Sequence, residues 1–425
     1  MIPANPKSFL TGLFNRAVNA ARADLVLSPH LPVSFKGRTV VVGAGKAAAA
    51  MAAVVDERMP GPVQGCVVVP YGAGMPAGRI EVLEAAHPVP DVSSVAAARA
   101  LLLSVADLGP NDLVIALISG GGSSLLALPA DGILLEDKQE ITRALLNGGA
   151  PIGQINTVRK HLSKIKGGRL ALAAYPAKVL TLAISDVPGD DPAMVASGPT
   201  VQDFSTAEVA VKILKSYAPN VPSRIFEALE SRQAVMPQFD RRKFNGHEFR
   251  FVATPAMSLE CAARNARDEG VTPYILSDTI EGDACEVAKP LAAIARHCAA
   301  TSEPFPPPCV LLSGGETTVK VTGKGEGGRN THFALSFAQE IDGAAGIYAI
   351  SCDTDGIDGN SSAAGTFVSP DTLARGRNCG LDARTYLDNN DTARFFAQLG
   401  DTIITGPTQT NVNDFRAILI LAAGE

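Results

Sequence analysis

Several features that mark other classes of protein are scarce or missing in this chain of 425 residues. It has no tryptophan and only 5% aromatic residues, so stacking platforms for bases or sugars are scarce. The seven cysteines are scattered and form no C-x-x-C pair, which argues against a zinc site or a disulfide framework. No run reaches the roughly 18 uncharged apolar residues of a membrane span, and the first residues lack a signal-peptide core. We therefore expect a cytoplasmic protein with reduced thiols and no membrane partner.

The charge balance also limits the partners. The chain has 37 basic and 43 acidic residues, a net charge of −6, which argues against general nucleic-acid binding. Its apolar fraction of 46% and charged fraction of 19% are typical of folded proteins. Since domains run to about 100–200 residues, the length predicts two or three of them.

Short apolar strands alternate with helical stretches through the first half of the chain. Strands are predicted at 38–42, 64–69, 112–118 and 178–184, and helices at about 92–107, 136–148 and 155–166. This alternation is typical of a parallel sheet covered by helices on both faces. The sequence therefore predicts an N-terminal Rossmann-like α/β/α sandwich over residues 1–238.

A polar segment without periodicity, 236–250, separates this half from a second one. The alternation then restarts, with strands predicted at 249–253, 272–277, 309–312, 317–321 and 347–351 and helices at about 258–269, 283–299 and 329–340. The stretch 309–321 has the pattern of a hairpin, which indicates antiparallel pairing. We therefore predict a C-terminal mixed α/β domain over residues 239–425 and an interdomain cleft.

Glycine-rich loops follow two of the N-terminal strands. Gly43 and Gly45 occupy the place of a dinucleotide fingerprint, but the next strand ends without the acid that would bind the ribose. Lys46 in this loop favours phosphoryl contact over a nicotinamide cofactor. The second loop exposes several backbone N–H groups to one point and suits a phosphate or carboxylate; it consists of Ser119, Gly120, Gly121, Gly122, Ser123 and Ser124. Ordinary turns are the alternative for both loops.

Charged residues cluster after other predicted strands. The carboxylates of 185–191 and 351–359 suit Mg²⁺, a hard cation that takes oxygen ligands, although solvated turns are the alternative. The loop 323–330 delivers Arg329 at a helix start, where its planar fork matches phosphate or carboxylate oxygens. The run 156–169 has five basic residues and no acid, as in an anion cleft or an exposed helix face.

Together these motifs resemble the glycerate 2-kinases whose C-terminal half is the MOFRL domain. The matching segments run in order from about residue 38 to 415; they are 43–46, 118–124, 156–169, 185–190, 196–200, 313–316, 327–330 and 353–359. The resemblance implies two α/β domains and Mg²⁺-assisted phosphorylation of D-glycerate by ATP. The products would be 2-phosphoglycerate and ADP. One departure is the pair Thr331 and His332, where a Gln-Glu-like pair is expected.

The resemblance also implies roles for individual residues. Lys46 and Arg329 would form the charge-stabilising pair, with Asp190 as candidate base or metal ligand. Mg²⁺ would be held by one or more of the carboxylates Asp186, Asp353 and Asp355. The expected contacts to substrate or nucleotide are Gly43, Gly45, Ser119, Gly120, Gly121, Gly122, Ser123, Ser124, Arg159, Lys160, Gly314, Gly315, Glu316 and Asn330.

Two other functions are compatible with parts of the pattern. Relatives in this family have carried the label hydroxypyruvate reductase, and G-x-G-x-x-A would permit an NAD(P)H site, but the missing ribose acid counts against it. A non-catalytic sensor of phosphorylated metabolites would not need the full set of charged loops. The sequence leaves open a homo-oligomer, the preferred nucleotide and the tolerance for other 2-hydroxy acids.

Overall fold

The chain folds into two compact units in the computed structural model, which describes residues 3, 5–33, 35–233 and 241–422. One unit consists of residues 23–252, and the other combines residues 1–22 with 253–425. The boundary predicted at 238/239 lies outside the described residues. On either side of it the division differs from the predicted one, because the first helix, α1 (Pro6–Asn19), packs with the C-terminal half and residues 248–252 join the N-terminal sheet.

A six-stranded sheet forms the centre of the unit 23–252. Its strands are β1 (Thr39–Ala44), β2 (Val63–Pro70), β3 (Glu81–Ala85), β4 (Leu113–Ile118), β5 (Lys178–Ile184) and β6 (Glu248–Ala253). Their order is β3-β2-β1-β4-β5-β6, and every pair from β3 to β5 is parallel. Strands β1 and β4 are buried along their whole length, as expected for a parallel sheet covered by helices. The predicted Rossmann-like sheet is confirmed.

The helices of this unit form two apolar clusters. They are α2 (Ala23–Val26), α3 (Ala48–Arg58), α4 (Val92–Ser104), α5 (Gly122–Leu125), α6 (Leu135–Asn147), α7 (Ile152–His161), α8 (Arg169–Ala173), α9 (Ala207–Tyr217) and α10 (Ser223–Gln233). Helices α4 and α8 pack on the sheet, whereas α6, α7, α9 and α10 share a separate core. Helix α7 ends at His161 and not near 166 as predicted, because the Ser163 hydroxyl accepts the N–H groups of Ile165 and Lys166 and turns the chain.

The second sheet is mixed. Its unit contains β7 (Thr272–Ser277), β8 (Gly282–Asp283), β9 (Cys309–Ser313), β10 (Thr317–Thr318), β11 (Ile347–Asp353), β12 (Gly365–Val368), β13 (Thr402–Ile403) and β14 (Asp414–Ile420). The order β13-β12-β11-β14-β9-β7 is antiparallel except for β7 with β9. The mixed sheet is confirmed, but the hairpin predicted at 309–321 is wrong. Gly315, with φ of +109°, lies against the backbone of Ile280, and β10 pairs in parallel with β8.

Helices cover both faces of this sheet. They are α1 together with α11 (Pro255–Asp268), α12 (Ala284–Thr301), α13 (Arg329–Ile341), α14 (Thr372–Asn378), α15 (Ala383–Asp388) and α16 (Thr392–Leu399). Helices α1 and α11 share one apolar cluster, and α12 and α13 share another. Helix α1 buries Phe9, Leu13 and Phe14, whose spacing puts them on one stripe of the helix.

Two expectations from composition concern the whole chain. All seven cysteines lie within the described residues, and each is a free thiol. None of the described helices combines the length and hydropathy that a membrane crossing requires.

Candidate active site

Arg329 is the centre of a charged network at the start of α13. Its Nε donates to Asp414 Oδ1 at 2.7 Å, and its Nη2 donates to Asp353 Oδ2 at 2.7 Å. Its Nη1 lies 3.3 Å from Glu316 Oε1. Burial alone would lower the pKa of Arg329, but the carboxylates of Asp414, Asp353 and Glu316 raise it well above its ordinary value. The guanidinium is therefore charged and fixed on two sides.

A buried carboxylate fixes the first turn of α13. The oxygens of Asp358 accept the backbone N–H groups of Asn330 and Thr331, both at 2.9 Å, and the hydroxyl of Thr331. A carboxylate is stabilised at a helix N-terminus by these donors and by the helix dipole. Burial nevertheless raises the pKa of Asp358 above its ordinary value. Asp358 belongs to the motif 353–359, and its contacts hold Arg329 at the first helical position.

Asp414 connects Arg329 to a second, fully buried arginine. Its Oδ1 also accepts the side-chain amide of Asn330 at 2.8 Å, and its Oδ2 accepts Arg416 Nη2. Asp414 and Arg416 lie two residues apart on β14 and hence on the same face of the strand. Sequence reasoning missed both residues. The available signal was a pair of opposite charges two positions apart in an otherwise apolar strand.

Gly314 and Gly315, predicted as ligand contacts, hold this pair through their carbonyls. Gly315 O accepts the N–H of Asp414 at 3.0 Å, and Gly314 O accepts Arg416 Nη1 at 3.2 Å. The glycine turn after β9 therefore supports β14 from the side.

A pocket of about 620 Å³ opens beside Arg329. Its walls combine carboxylates, a cation, amides and apolar groups: Glu281, Glu316, Thr317, Thr318, Val319, Val321, Gly325, Gly327, Gly328, Arg329, His332, Gly359, Asn360 and Asn390. A pocket with few converging polar groups on a mainly apolar lining is typical of a small-molecule site.

His332 lines this pocket as a neutral side chain. Its Nδ1 lies 2.8 Å from Gly328 O, so Nδ1 carries the proton, and Nε2 accepts from Asn390 Nδ2 at 3.0 Å. Burial lowers the pKa of His332. The departure at Thr331 and His332 is thus accommodated by hydrogen bonds within this unit.

The carboxylates predicted as metal ligands only partly converge. Asp353 and Asp355 are adjacent at the end of β11, where Asp353 Oδ1 accepts the N–H of Asp355 at 3.1 Å. Asp186 follows β5 in the other unit. Across the described residues, no three metal-ligating side chains form a group. Mg²⁺ commonly takes one or two protein carboxylates and completes its shell with phosphate and water oxygens, so this pair fits Mg²⁺ that arrives with a nucleotide.

In the unit 23–252, the loops after β1 and β4 are joined by hydrogen bonds. The N–H of Lys46 donates to Gly120 O at 2.8 Å, and the N–H of Ala47 donates to Ser119 Oγ at 3.0 Å. Gly45 has φ of +134°, and a Cβ there would lie 2.2 Å from Ser119 Oγ, so glycine is required. The N–H groups before α3, predicted to face a phosphate, therefore have acceptors within the protein.

The loop 119–124 keeps two backbone donors open. In the part of the chain that the structure describes, the N–H groups of Gly120 and Gly121 have no acceptor. A Cβ on Gly121 would lie 3.0 Å from His87 Nε2 and 3.7 Å from Lys46 Cγ, so both side chains pass beside these donors. The arrangement supports the predicted anion cradle at this loop, and it adds His87, to which the sequence gave no role.

The basic run 156–169 divides into residues with and without an acidic partner. Lys160 Nζ lies 3.7 Å from Asp203 Oδ1, which balances its charge. Arg159 donates to Asn156 Oδ1 at 3.5 Å and has no carboxylate partner among the described residues. Lys166, which the sequence did not single out, is buried and donates to Ser123 O at 2.6 Å.

Asp190 lies in a strained turn after β5. Its φ of +49° places a non-glycine residue in the left-handed region, which costs roughly 1–2 kcal/mol. Its N–H donates to Val187 O at 3.0 Å. Such strained positions concentrate at functional sites.

Comparison with known proteins identifies the family. Residues 9–230 match the family described as "Domain of unknown function (DUF4147)", and residues 309–414 match the MOFRL family. D-Glycerate 2-kinase from Thermotoga maritima is 38% identical over 421 residues, 99% of each chain. This chain belongs to the glycerate 2-kinase family with a MOFRL domain. The family inferred from the motifs is confirmed.

A solved structure and a second relative are also similar to nearly the whole chain. The crystal structure of glycerate kinase from Thermotoga maritima matches with a TM-score of 0.89 and 37% identity, covering 99% of this chain and 100% of that one. A protein from Agrobacterium vitis, provisionally named hydroxypyruvate reductase, is 50% identical over 420 residues, 97% of this chain and 94% of its own.

The predicted site residues of this family member fall into one set in each unit. Around Asp414 lie Gly314, Gly315, Glu316, Arg329, Asn330, Asp353 and Asp355. The unit 23–252 contains Gly43, Gly45, Lys46, Ser119, Gly120, Gly121, Gly122, Ser123, Ser124, Arg159, Lys160, Asp186 and Asp190.

Proposed function

We propose that this protein phosphorylates D-glycerate at its 2-hydroxyl with ATP and releases 2-phosphoglycerate and ADP. The observation that carries the proposal is a rigidly held Arg329 at the edge of a pocket, in a chain that matches glycerate 2-kinases along almost its whole length. Phosphoryl transfer depends on positioning and charge neutralisation and needs no strong protein nucleophile.

In the proposed reaction, the 2-hydroxyl oxygen of D-glycerate forms a bond to the γ-phosphorus. The bond from that phosphorus to the bridging oxygen breaks, and ADP leaves with its electron pair. The hydroxyl proton passes to a carboxylate, for which we propose Asp190. Lys46 and Arg329 would stabilise the charge on the transferred group, as preorganised cations do in other phosphoryl transfers.

The geometry of Arg329 indicates which edge would meet an oxyanion. Nε and Nη2 are held by buried carboxylates, whereas Nη1 faces Glu316, whose side chain is 48% exposed. Displacing an exposed carboxylate costs little free energy, because water solvates it both before and after it moves. We therefore propose that a phosphoryl or carboxylate oxygen binds at Nη1.

The loop 119–124 supports the same proposal from the N-terminal unit. Open N–H groups at Gly120 and Gly121 beside Lys46 are the donors that a polyphosphate requires. Asp353 and Asp355 are the residues that would hold Mg²⁺. When bound, that ion neutralises charge on the nucleotide phosphates.

Hydroxypyruvate reduction is the second candidate, favoured by the provisional name of the Agrobacterium vitis protein. Two observations weigh against it. The N–H groups of Lys46 and Ala47 are engaged by the neighbouring loop, and β2 ends at Pro70 with no acid for a ribose. The structure therefore supports the kinase over the reductase.

A coupled assay tests the proposal. Purified protein is incubated with ATP, Mg²⁺ and D-glycerate, and enolase added without a mutase reports 2-phosphoglycerate but not the 3-isomer. In parallel, hydroxypyruvate and NADH or NADPH are monitored at the nicotinamide absorbance band. Formation of ADP and the 2-isomer supports the proposal; nicotinamide oxidation without ADP formation overturns it.

A further inference from the structure

Lys166 is a buried lysine with no balancing acid beside it among the residues that the structure describes. The residue is 1% exposed, and its Nζ donates to two neutral oxygens, Ser123 O at 2.6 Å and Ser123 Oγ at 3.2 Å. Burial, together with the nearby positive charges of Lys138 and Arg159, lowers the pKa of Lys166 well below its ordinary value. A cationic group in such surroundings opposes folding, and its contact with Ser123 points to a role other than stability.

A directed chain of hydrogen bonds starts at Lys166. Ser123 Oγ and Ser197 Oγ are 2.9 Å apart, and Ser197 Oγ donates to Asn156 Oδ1 at 3.2 Å. Because the proton of Ser197 is used on the amide, Ser123 must donate to Ser197 while it accepts from Lys166. Ser123 therefore has no proton left for a ligand. The hydroxyl of Ser123, which the sequence predicts to contact a ligand, instead bonds to Lys166 and Ser197.

The far end of this chain reaches a strained turn. Ala196, Ser197 and Gly198 have φ values of +50°, +60° and +57°, and the first two are non-glycine residues in the left-handed region. The two residues after Lys166 hold this turn, since Gly167 N–H donates to Ser197 O at 3.1 Å and Gly168 N–H to Gly198 O at 2.8 Å. One segment thus fixes both the turn and the loop 119–124.

We propose that Lys166 is a positioning residue for the phosphoryl transfer proposed above. Through Ser123 it holds the loop 119–124 in the conformation that leaves the Gly120 and Gly121 N–H groups open to an oxyanion. The oxyanion belongs to a phosphate of ATP or to the carboxylate of D-glycerate, since backbone N–H groups donate to the oxygens of both. The kinetic part of the inference rests on the proposed function; its binding part does not.

The test compares Lys166→Met with Lys164→Met. Methionine matches the length of the lysine stem without the donor, and Lys164 is an exposed lysine of the same segment that pairs with Asp131. For each variant we would measure the melting temperature, kcat, KM for each substrate, and calorimetric binding of ATP and of D-glycerate separately.

For Lys166→Met we expect kcat/KM to fall about 10²-fold, the effect of a small misplacement of a binding group. The melting temperature should stay within about 5 °C, because loss of the buried charge offsets loss of the hydrogen bonds. Lys164→Met should stay within about twofold of the wild type, as other surface changes do. A second variant, Ser123→Ala, keeps the carbonyl contact and should lose less activity, again without a change in melting temperature.

The binding measurements identify the oxyanion. Weaker binding of ATP alone assigns the loop to a phosphate, and weaker binding of D-glycerate alone assigns it to the carboxylate; either result supports the inference. Unchanged binding of both ligands and unchanged kcat/KM in Lys166→Met would overturn it. So would a loss that comes with a drop of more than about 5 °C, since that marks a purely structural role. If the wild type proves not to be a kinase, the binding comparison still decides the inference.

Discussion

Asp414 fixes the guanidinium of Arg329 on its Nε side. Its Oδ1 accepts Arg329 Nε at 2.7 Å, while its Oδ2 accepts the fully buried Arg416. The orientation of Arg329 is therefore set by β14, before any ligand binds. A cation placed in advance costs no reorganisation when charge develops in a transition state.

Asp414→Asn should weaken both the fold and the reaction. The amide keeps the shape but removes the negative charge between two arginines, and its NH₂ group would oppose one of them. We expect the free energy of unfolding in urea to fall by about 3 kcal/mol and kcat of the folded fraction to fall about 10²-fold. Asp388→Asn is the control, since Asp388 pairs with Arg384 on the surface. A normal kcat in folded Asp414→Asn would contradict the positioning role.

Arg329→Lys should abolish most turnover while the charge is retained. A lysine ammonium carries its three donors on one nitrogen, so it cannot reproduce the planar fork in which Nε, Nη2 and Nη1 of the guanidinium face three different carboxylates. We expect kcat to fall at least about 10³-fold, as for other arginines that stabilise transferred phosphoryl groups. Arg384→Lys, at an exposed ion pair, should change nothing.

Arg329→Ala is a less direct test of the same role. It also leaves Asp353 without its cation in a buried position, so stability falls together with activity. Near-normal rates in folded Arg329→Lys, by steady-state assay, would remove this residue from the mechanism.

Asp190→Asn should lower kcat about 10²-fold or more, because the amide cannot take the hydroxyl proton. Asparagine tolerates the left-handed backbone at this position, so circular dichroism should report an unchanged fold. Asp191→Asn is the matched control, since Asp191 is exposed and its side chain accepts the N–H of Ala193 at 2.9 Å. Equal rates for the two variants would exclude Asp190 as the base.

The stability of the C-terminal unit should decrease as the pH falls below about 6.5. Burial lowers the pKa of His332, so the unfolded chain binds a proton at a higher pH than the folded one. The folded state therefore loses stability as the pH falls from 6.5, the pKa of His332 in the unfolded chain, to the lower pKa of His332 in the folded protein. Protonated Nε2 would oppose Asn390 Nδ2, and that amide cannot rotate because its oxygen accepts the N–H groups of Thr322 and Gly323, both at 2.7 Å.

His332→Gln tests this assignment. Its side chain offers both an acceptor and a donor without titrating in this range. Urea unfolding at pH 5 and pH 7 should therefore differ less for His332→Gln than for the wild type. An equal difference in both proteins would place the titrating group elsewhere.

Strands β1, β2, β4 and β5 could be predicted because each is a short, largely buried apolar run, whereas β3, with two glutamates and only its last residue buried, was missed. Strand β5 matches its predicted bounds, 178–184. The prediction for 309–321 was wrong because an apolar run and a β-branched run joined by two glycines resemble a hairpin, whatever conformation Gly315 adopts between them. The place of α1 was equally hidden, because its partner α11 lies more than 200 residues away in the sequence.

Residues of the candidate site could be singled out from the sequence where they belong to contiguous motifs, as Arg329 and Asn330 do. It could not be predicted where one motif acts through another. In the sequence, Arg416 is only a charged residue in an apolar strand. Its contacts with Asp414 and the carbonyl of Gly314 are seen only in the folded structure. Likewise, the role inferred for Lys166 depends on its hydrogen bond to Ser123, 43 residues earlier in the sequence.

The central place of β14 in its sheet also has a consequence for biosynthesis. Residues 414–420 separate β11 from β9, so these two strands lack their common neighbour until a ribosome has delivered that stretch. The unit 23–252 contains none of β14 and is free to form much earlier during translation. In a nascent chain, Arg329 therefore lacks the carboxylate of Asp414 until residues 414–420 have been synthesised.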